Sequence, residues 1–177
     1  MRFYPTELPG VIIIEPDLRI DERGLFARTW CREEFAAAGL ETNWVQCNVA
    51  FNRRVGTLRG LHWQAAPHEE VKLVRCTAGA AYDVVLDLRP ESPRYKQWLA
   101  VELTAENRRA LYIPGGCAHG YQTLTDGTEL FYHMSEAYHP ESARGVRWDD
   151  PAFGIHWPPC SERVIAPRDQ SFPDFQL

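Results

Sequence analysis

No run of apolar residues in this 177-residue chain approaches the length of a membrane span, and the early run Val11-Ile12-Ile13-Ile14 is followed at once by Glu15 and Asp17. The N-terminal segment also lacks a signal-peptide pattern. A basic excess is missing: 19 Lys and Arg stand against 24 Asp and Glu, for a net charge of -5. That excludes the global footprint of a nucleic-acid-binding domain, although a local arginine cluster can still grip one or two phosphates. Cysteine is scarce and odd in number. Cys31, Cys47, Cys76, Cys117 and Cys160 never form a CxxC pair, which argues against a zinc or disulfide framework and for reduced, mostly structural thiols in a cytoplasmic protein. Repeats, low-complexity segments and linkers are absent too, so the expectation is one domain, 1–177, with room for a full core.

What is present is a series of short apolar runs punctuated by 13 prolines and 12 glycines. Strands are expected at 11–14, 25–30, 44–51, 57–63, 71–77, 81–88, 98–103, 110–113, 120–124 and 129–134. One helix is expected at 32–38, with Phe35 inward and Gly39 as its stop. Runs such as Lys72-Leu73-Val74-Arg75 and Tyr82-Asp83-Val84-Val85-Leu86-Asp87 alternate polar with apolar, the mark of a strand with one buried face. Turn signals (Ala78-Gly79, Arg89-Pro90, Pro114-Gly115-Gly116, Asp126-Gly127) fall between them. The fold class is all-β, a sandwich, jelly roll or closed barrel whose inward residues line a cavity. The Pro-rich tail from 157 onward is expected to be irregular and to wrap the barrel.

Chemistry-bearing side chains collect in two of these runs. The first, Thr57-Leu58-Arg59-Gly60-Leu61-His62-Trp63-Gln64, packs a cation, an imidazole and an amide into one strand. A period of two puts His62 and Gln64 on one face and Arg59 on the other, unless a bulge at Gly60 turns Arg59 round. The second, Ile113-Pro114-Gly115-Gly116-Cys117-Ala118-His119-Gly120-Tyr121, drops through a tight turn into small residues, where backbone can approach a ligand near His119. Taken singly, each histidine is as well explained by an ordinary structural role. Together they resemble the layout of the cupins. Gln64, however, stands where a metal cupin has a second histidine, and Gln is a poor ligand for transition metals. Glu69 and Glu70 fall in a loop-like Pro-His-Glu-Glu stretch. The expectation is a site without metal, with His62 free to act as a base.

Proton abstraction beside a ketone needs a base, a group that holds the enolate oxygen, and an acid on the opposite face if configuration inverts. His62 is the candidate base, Lys72 the cation over the enolate oxygen, and Tyr132, from another strand, the acid. A lysine chosen blind is more often solvated, and a tyrosine more often a core residue. A carboxylate that orients the imidazole is offered equally by Asp169 and Asp83.

Several stretches, in order and spacing, carry a family resemblance over nearly the full length. They are Asp21-Glu22-Arg23-Gly24-Leu25-Phe26, Leu58-Arg59-Gly60-Leu61-His62-Trp63-Gln64, Lys72-Leu73-Val74-Arg75, Tyr82-Asp83-Val84-Val85-Leu86-Asp87-Leu88-Arg89, Ile113-Pro114-Gly115-Gly116-Cys117-Ala118-His119-Gly120 and Tyr138-His139-Pro140-Glu141-Ser142. The chain resembles the dTDP-4-dehydrorhamnose 3,5-epimerases. That resemblance implies a cupin-like jelly-roll β-barrel with short peripheral helices, a homodimer with exchanged N-terminal strands, a dTDP-sugar substrate and no cofactor. It casts His62 as general base, Tyr132 as proton donor, Lys72 as the neighbour of the C4 oxygen and Asp169 as the partner of the histidine. His119 becomes a sugar contact, and Arg23 and Arg59 become pyrophosphate or substrate contacts. Tyr138 would stack on thymine, while Phe26, Gln46, Asn48 and Arg168 complete the substrate-binding set. Two positions depart from the family: Arg28 and Ala143 stand where it commonly has Glu, so the catalytic set is kept while part of the recognition set is not.

The leading expectation is epimerisation at C3 and C5. A C3-only epimerase, a metal cupin such as a small dioxygenase, and an idle sugar-nucleotide-binding protein are the rivals. Labelled-carbon counting, metal analysis and proton exchange, respectively, separate them from it.

Overall fold

The computed structural model describes residues 1–176; the last position of the expected 1–177 unit, Leu177, lies outside them. Strands built on inward–outward alternation make two six-stranded sheets that face each other. The first sheet contains β1 (Arg2–Pro5), β2 (Ile12–Glu15), β5 (Gln46–Asn52), β7 (Lys72–Ala78), β10 (Ala110–Ile113) and β12 (Thr128–Met134), in the order β1-β2-β10-β7-β12-β5. The second contains β6 (Thr57–Gln64), β8 (Ala80–Asp87), β9 (Trp98–Thr104), β11 (Cys117–Thr123) and β13 (Ala143–Gly145), in the order β13-β6-β11-β8-β9. A two-residue strand, β14 (Val164–Ile165), lies parallel to β6 as the sixth strand of this second sheet, and, among the described residues, β3 (Arg19–Asp21) pairs only with β4 (Gly24–Phe26). Two short helices, α1 (Arg32–Ala37) and α2 (Pro167–Gln170), complete a cupin-like jelly roll.

Between the sheets, Val74, Cys76, Val85, Leu103, Leu111 and Leu130 form a dry core that fills one end of the barrel. The other end stays open because its inward positions carry polar groups. Outside the first sheet, Phe35 of α1 seals a cluster with Ile14, Leu73 and Tyr112. Outside the second, Val146, Phe153 and Trp157 of the C-terminal segment cover Val84 and Leu86.

The expected strands are all found, with shifts at the ends. The run 25–30 stops at Phe26, and β11 begins at Cys117 rather than at 120. Arg2–Pro5, Arg19–Asp21 and Ala143–Gly145 are strands that short, polar or proline-bearing runs conceal. The tail is not wholly irregular: it carries β14 and α2, and α2 brings Asp169 inward. The first two strands pair within their own chain, β2 on β10, so the element that stands apart is the β3–β4 hairpin, exposed along both strands.

Candidate active site

The open end of the barrel is a cavity of about 850 Å³, within the usual range for small-molecule sites. Both sheets line it. The first contributes Gln46 and Asn48 from β5, Lys72 from β7 and Tyr132 from β12; the second contributes Arg59 and His62 from β6 and His119 from β11. Tyr138, Arg168 and Asp169 close the rim. Ten of the twelve expected site residues are thus brought together. Arg23 and Phe26 are not: both sit on the exposed β3–β4 hairpin outside the cavity, and Arg23 is engaged with Asp21 at 2.6 Å. Within the single chain, therefore, neither residue reaches the cavity. Of the two departures, Arg28 is exposed and paired with Glu34 at 3.0 Å, whereas Ala143 lines the cavity.

Arg59 and His62 share the cavity although they are three residues apart, an odd spacing that should place them on opposite faces. The pairing of β6 with β11 explains this. His119 opposes His62 and Tyr121 opposes Arg59, so β6 spends one extra residue at Gly60-Leu61. Gly60 has φ +113, and a Cβ there would come within 2.6 Å of Gly120 Cα and 2.7 Å of the His119 carbonyl oxygen. Only glycine fits such a close crossing of backbones. Beyond the bulge, Arg59 Nε donates to Asn52 Oδ1 at 2.9 Å, an anchor that leaves its Nη nitrogens for the cavity.

The choice between the two carboxylates is resolved by distance. Asp169 Oδ1 lies 2.7 Å from His62 Nε2, while its Oδ2 accepts the Gly60 N–H at 3.1 Å. Burial alone would raise the Asp169 carboxyl; the His62 ring, the Gly60 N–H and Arg168 outweigh it and hold the group below the ordinary carboxylate range. Asp83 instead serves His119, with both carboxylate oxygens 2.9 Å from His119 Nε2. It is fully buried, and that burial pushes its pKa up against the opposing pull of His119 and Lys72.

Lys72 is buried, not solvated, and is ion-paired to Glu70. Glu70 was read only as part of a loop; in the structure it is buried, lines the cavity and has its Oε2 without a partner among the described residues. The one signal available beforehand was its spacing of two from Lys72, which in extended chain puts both side chains on one face. Burial raises the Tyr132 hydroxyl above the usual phenol range, with Arg59 pulling the other way, so it keeps its proton at neutral pH. Gln64 has a structural role: its Nε2 donates to the carbonyls of His68 and Ala137, and its Oε1 accepts the His139 N–H. All five cysteines are free, with burial pushing Cys76 to about 11 and Cys117 to about 12, although Cys47 is exposed.

The lining carries four cations (Arg59, Lys72, Arg144, Arg168) against two carboxylates (Glu70, Asp169), a locally positive cavity in an acidic chain. Such a site suits an anion. Its other contents are an Asp-backed imidazole and a protonated phenol from opposed sheets.

The chain is similar to known proteins in sequence and in fold. A family model described as dTDP-4-dehydrorhamnose 3,5-epimerase matches residues 5–176. An enzyme of that description from Methanothermobacter thermautotrophicus is 43% identical over 173 residues, covering 97% of this chain and 92% of the relative. The crystal structure of a dTDP-4-dehydrorhamnose 3,5-epimerase from Bacillus anthracis with TDP and PPi bound matches with a TM-score of 0.95 at 35% identity, covering 98% of this chain and 99% of that one. A 3'-monoepimerase from Streptomyces bikiniensis in complex with dTDP-quinovose matches with a TM-score of 0.91 at 34% identity, over 97% of this chain and 86% of that one. With agreement in sequence and in fold along nearly its whole length, the chain belongs to the dTDP-4-dehydrorhamnose 3,5-epimerase family of isomerases.

Proposed function

We propose that this protein epimerises a dTDP-linked 4-keto-6-deoxyhexose at C3 and C5. One observation carries the reading: His62 and Tyr132 stand on opposed sheets and face one cavity. A pyranose ring held between them offers one face to the base and the other to the acid, so a proton removed by the first and replaced by the second leaves the carbon inverted.

The geometry supports a role for each residue. Asp169 on Nε2 selects the tautomer of His62 that carries its lone pair on Nδ1, the nitrogen that takes the proton. Deprotonation places negative charge on the C4 oxygen, and Lys72 is the buried cation that stabilises it. C3 and C5 both flank that ketone, so one enolate-stabilising group serves both carbons. Tyr132, kept protonated by burial, returns the proton. His119, fixed by Asp83, contacts the sugar. Arg59 and Arg168 take the pyrophosphate, which matches the bidentate preference of guanidinium for phosphate. Gln46, Asn48 and Tyr138 receive the nucleoside.

The functional unit is a single domain, cytoplasmic and working as a homodimer. The dimer reading is supported by the exposed apolar residues Val45, Val49 and Phe51 on and beside edge strand β5, and by Ile20 and Phe26 on the projecting hairpin. In that dimer the hairpin is the exchanged element, and it carries Arg23 and Phe26 to the partner's cavity.

A second reading, epimerisation at C3 alone, is favoured by the likeness to the Streptomyces bikiniensis 3'-monoepimerase. One experiment addresses both: incubation with dTDP-4-keto-6-deoxyglucose in deuterium oxide, followed by proton NMR. Two deuterated carbons are expected for double epimerisation, one for the alternative. His62→Ala is expected to abolish exchange at both; normal exchange in that variant would remove His62 from the mechanism.

A further inference from the structure

Among the described residues, one set of histidine and carboxylate donors converges within metal-ligand range: His68, Glu136 and His139, whose ligand atoms all lie within 4.8 Å of one another. His68 belongs to the loop between β6 and β7, and the other two to the loop between β12 and β13. A single buried amide ties these loops, Gln64 bonding to the backbone of His68 at 3.1 Å, of Ala137 at 3.0 Å and of His139 at 2.6 Å. The donors are therefore carried on backbone that is already fixed.

His139 is also oriented as a ligand. Its Nδ1 lies 3.1 Å from Glu141 Oε1, and its Nε2 faces Glu136 Oε1 at 3.6 Å. A carboxylate on the outer ring nitrogen fixes the tautomer and ring orientation that leave the inner one free to bind, the usual support of a metal-bound imidazole. Metal–ligand bonds near 2.1 Å imply a tetrahedral ligand–ligand edge of roughly 3.4 Å, close to the observed 3.6 Å. The rings of His68 and His139 are stacked, with centroids 3.5 Å apart and planes 7° apart. Lone pairs in parallel planes do not meet, so His68 must turn about its terminal torsion, a broad one, and its half-exposed position allows this.

We propose that His68, Glu136 and His139 form a binding site for one divalent transition-metal ion of the zinc type, with Glu141 supporting His139. Two imidazoles and a carboxylate suit zinc, nickel or copper rather than magnesium or calcium. A bound ion clips the two loops together, and Tyr138, which lies between two of the ligands and on the cavity rim, is held with them. The consequence for the nucleotide sugar rests on the proposed epimerase activity; the metal binding does not.

The test is calorimetric titration of the full chain, freed of metal by chelator dialysis, with zinc chloride and in parallel with magnesium chloride. One zinc per chain is expected, with no magnesium binding. His68→Ala and His139→Ala are each expected to weaken zinc binding at least tenfold while keeping the far-UV spectrum, and Glu141→Gln about tenfold. Cys47 is an exposed thiol and a competing zinc ligand, so Cys47→Ser is titrated too and is expected to bind as before. His62→Ala, which removes the proposed base, is likewise expected to retain zinc, so failure of the epimerase reading and failure of the metal site register separately. Nickel added to the full chain is expected to broaden the imidazole NMR signals of His68 and His139 ahead of that of His62. Zinc affinity unmoved by both histidine substitutions, or lost in Cys47→Ser or His62→Ala, overturns the site.

Discussion

His62 depends on Asp169 for its orientation and its tautomer. Asp169→Asn keeps the shape but offers an amide where the ring needs an acceptor, and kcat is expected to fall by about 10²- to 10⁴-fold, measured by solvent deuterium exchange at neutral pH. The carboxyl also links pH to stability. Its folded pKa lies below the unfolded value of about 3.9, so the pair stabilises the fold fully above that value, and this contribution is lost as pH falls through the folded pKa. Urea midpoints of wild type and Asp169→Asn are therefore expected to converge below about pH 4. Glu70 is the second dependent residue. Glu70→Gln leaves Lys72 buried without its counter-charge, and breaking one side of a buried pair costs about 3–5 kcal/mol. Urea unfolding reads the loss; an unchanged midpoint would show that Lys72 finds another partner.

Strand β6 determines which side chains the cavity receives. Its bulge at Gly60-Leu61 rotates Arg59 to the same side as His62 and brings the Gly60 N–H onto Asp169. Gly60→Ala sets a methyl group against the β11 backbone and forces a non-glycine residue to positive φ. Overpacking and backbone strain together are expected to destabilise the protein by about 2–5 kcal/mol in urea unfolding, and to uncouple Arg59 from the cavity, raising KM for the dTDP-sugar. The tail contributes in the same manner: α2 is only Pro167–Gln170, yet it supplies both Arg168 and Asp169 to the rim.

Across the molecule as a whole, a net charge of -5 would discourage a pyrophosphate, and the cationic cavity reverses that locally. Val49 and Phe51 are exposed to water on β5, an edge strand of its sheet that borders the cavity. Phe51→Asp is expected to convert a dimer into a monomer by light scattering and to lower activity, since the partner's hairpin, with Arg23 and Phe26, would be withdrawn. A monomeric wild type would contradict the assembly.

Alternating runs and turn signals were enough to read an all-β barrel, because side-chain period is a local property of a chain; the order and spacing of the motifs carried the likeness to the family and, through it, His62, Lys72 and Tyr132 as candidates for the cavity. Which carboxylate serves which histidine was not legible: Asp169 is 107 positions from His62, and contact at that separation depends on how the tail crosses β6. Nor could a strict period of two reveal the turn of Arg59, which a bulge opposite β11 imposes, or the burial of Lys72 against Glu70, which depends on two sheets closing over both. Pairing across the barrel is long-range, so the chain's pattern specified the strands and the packed fold specified the partners.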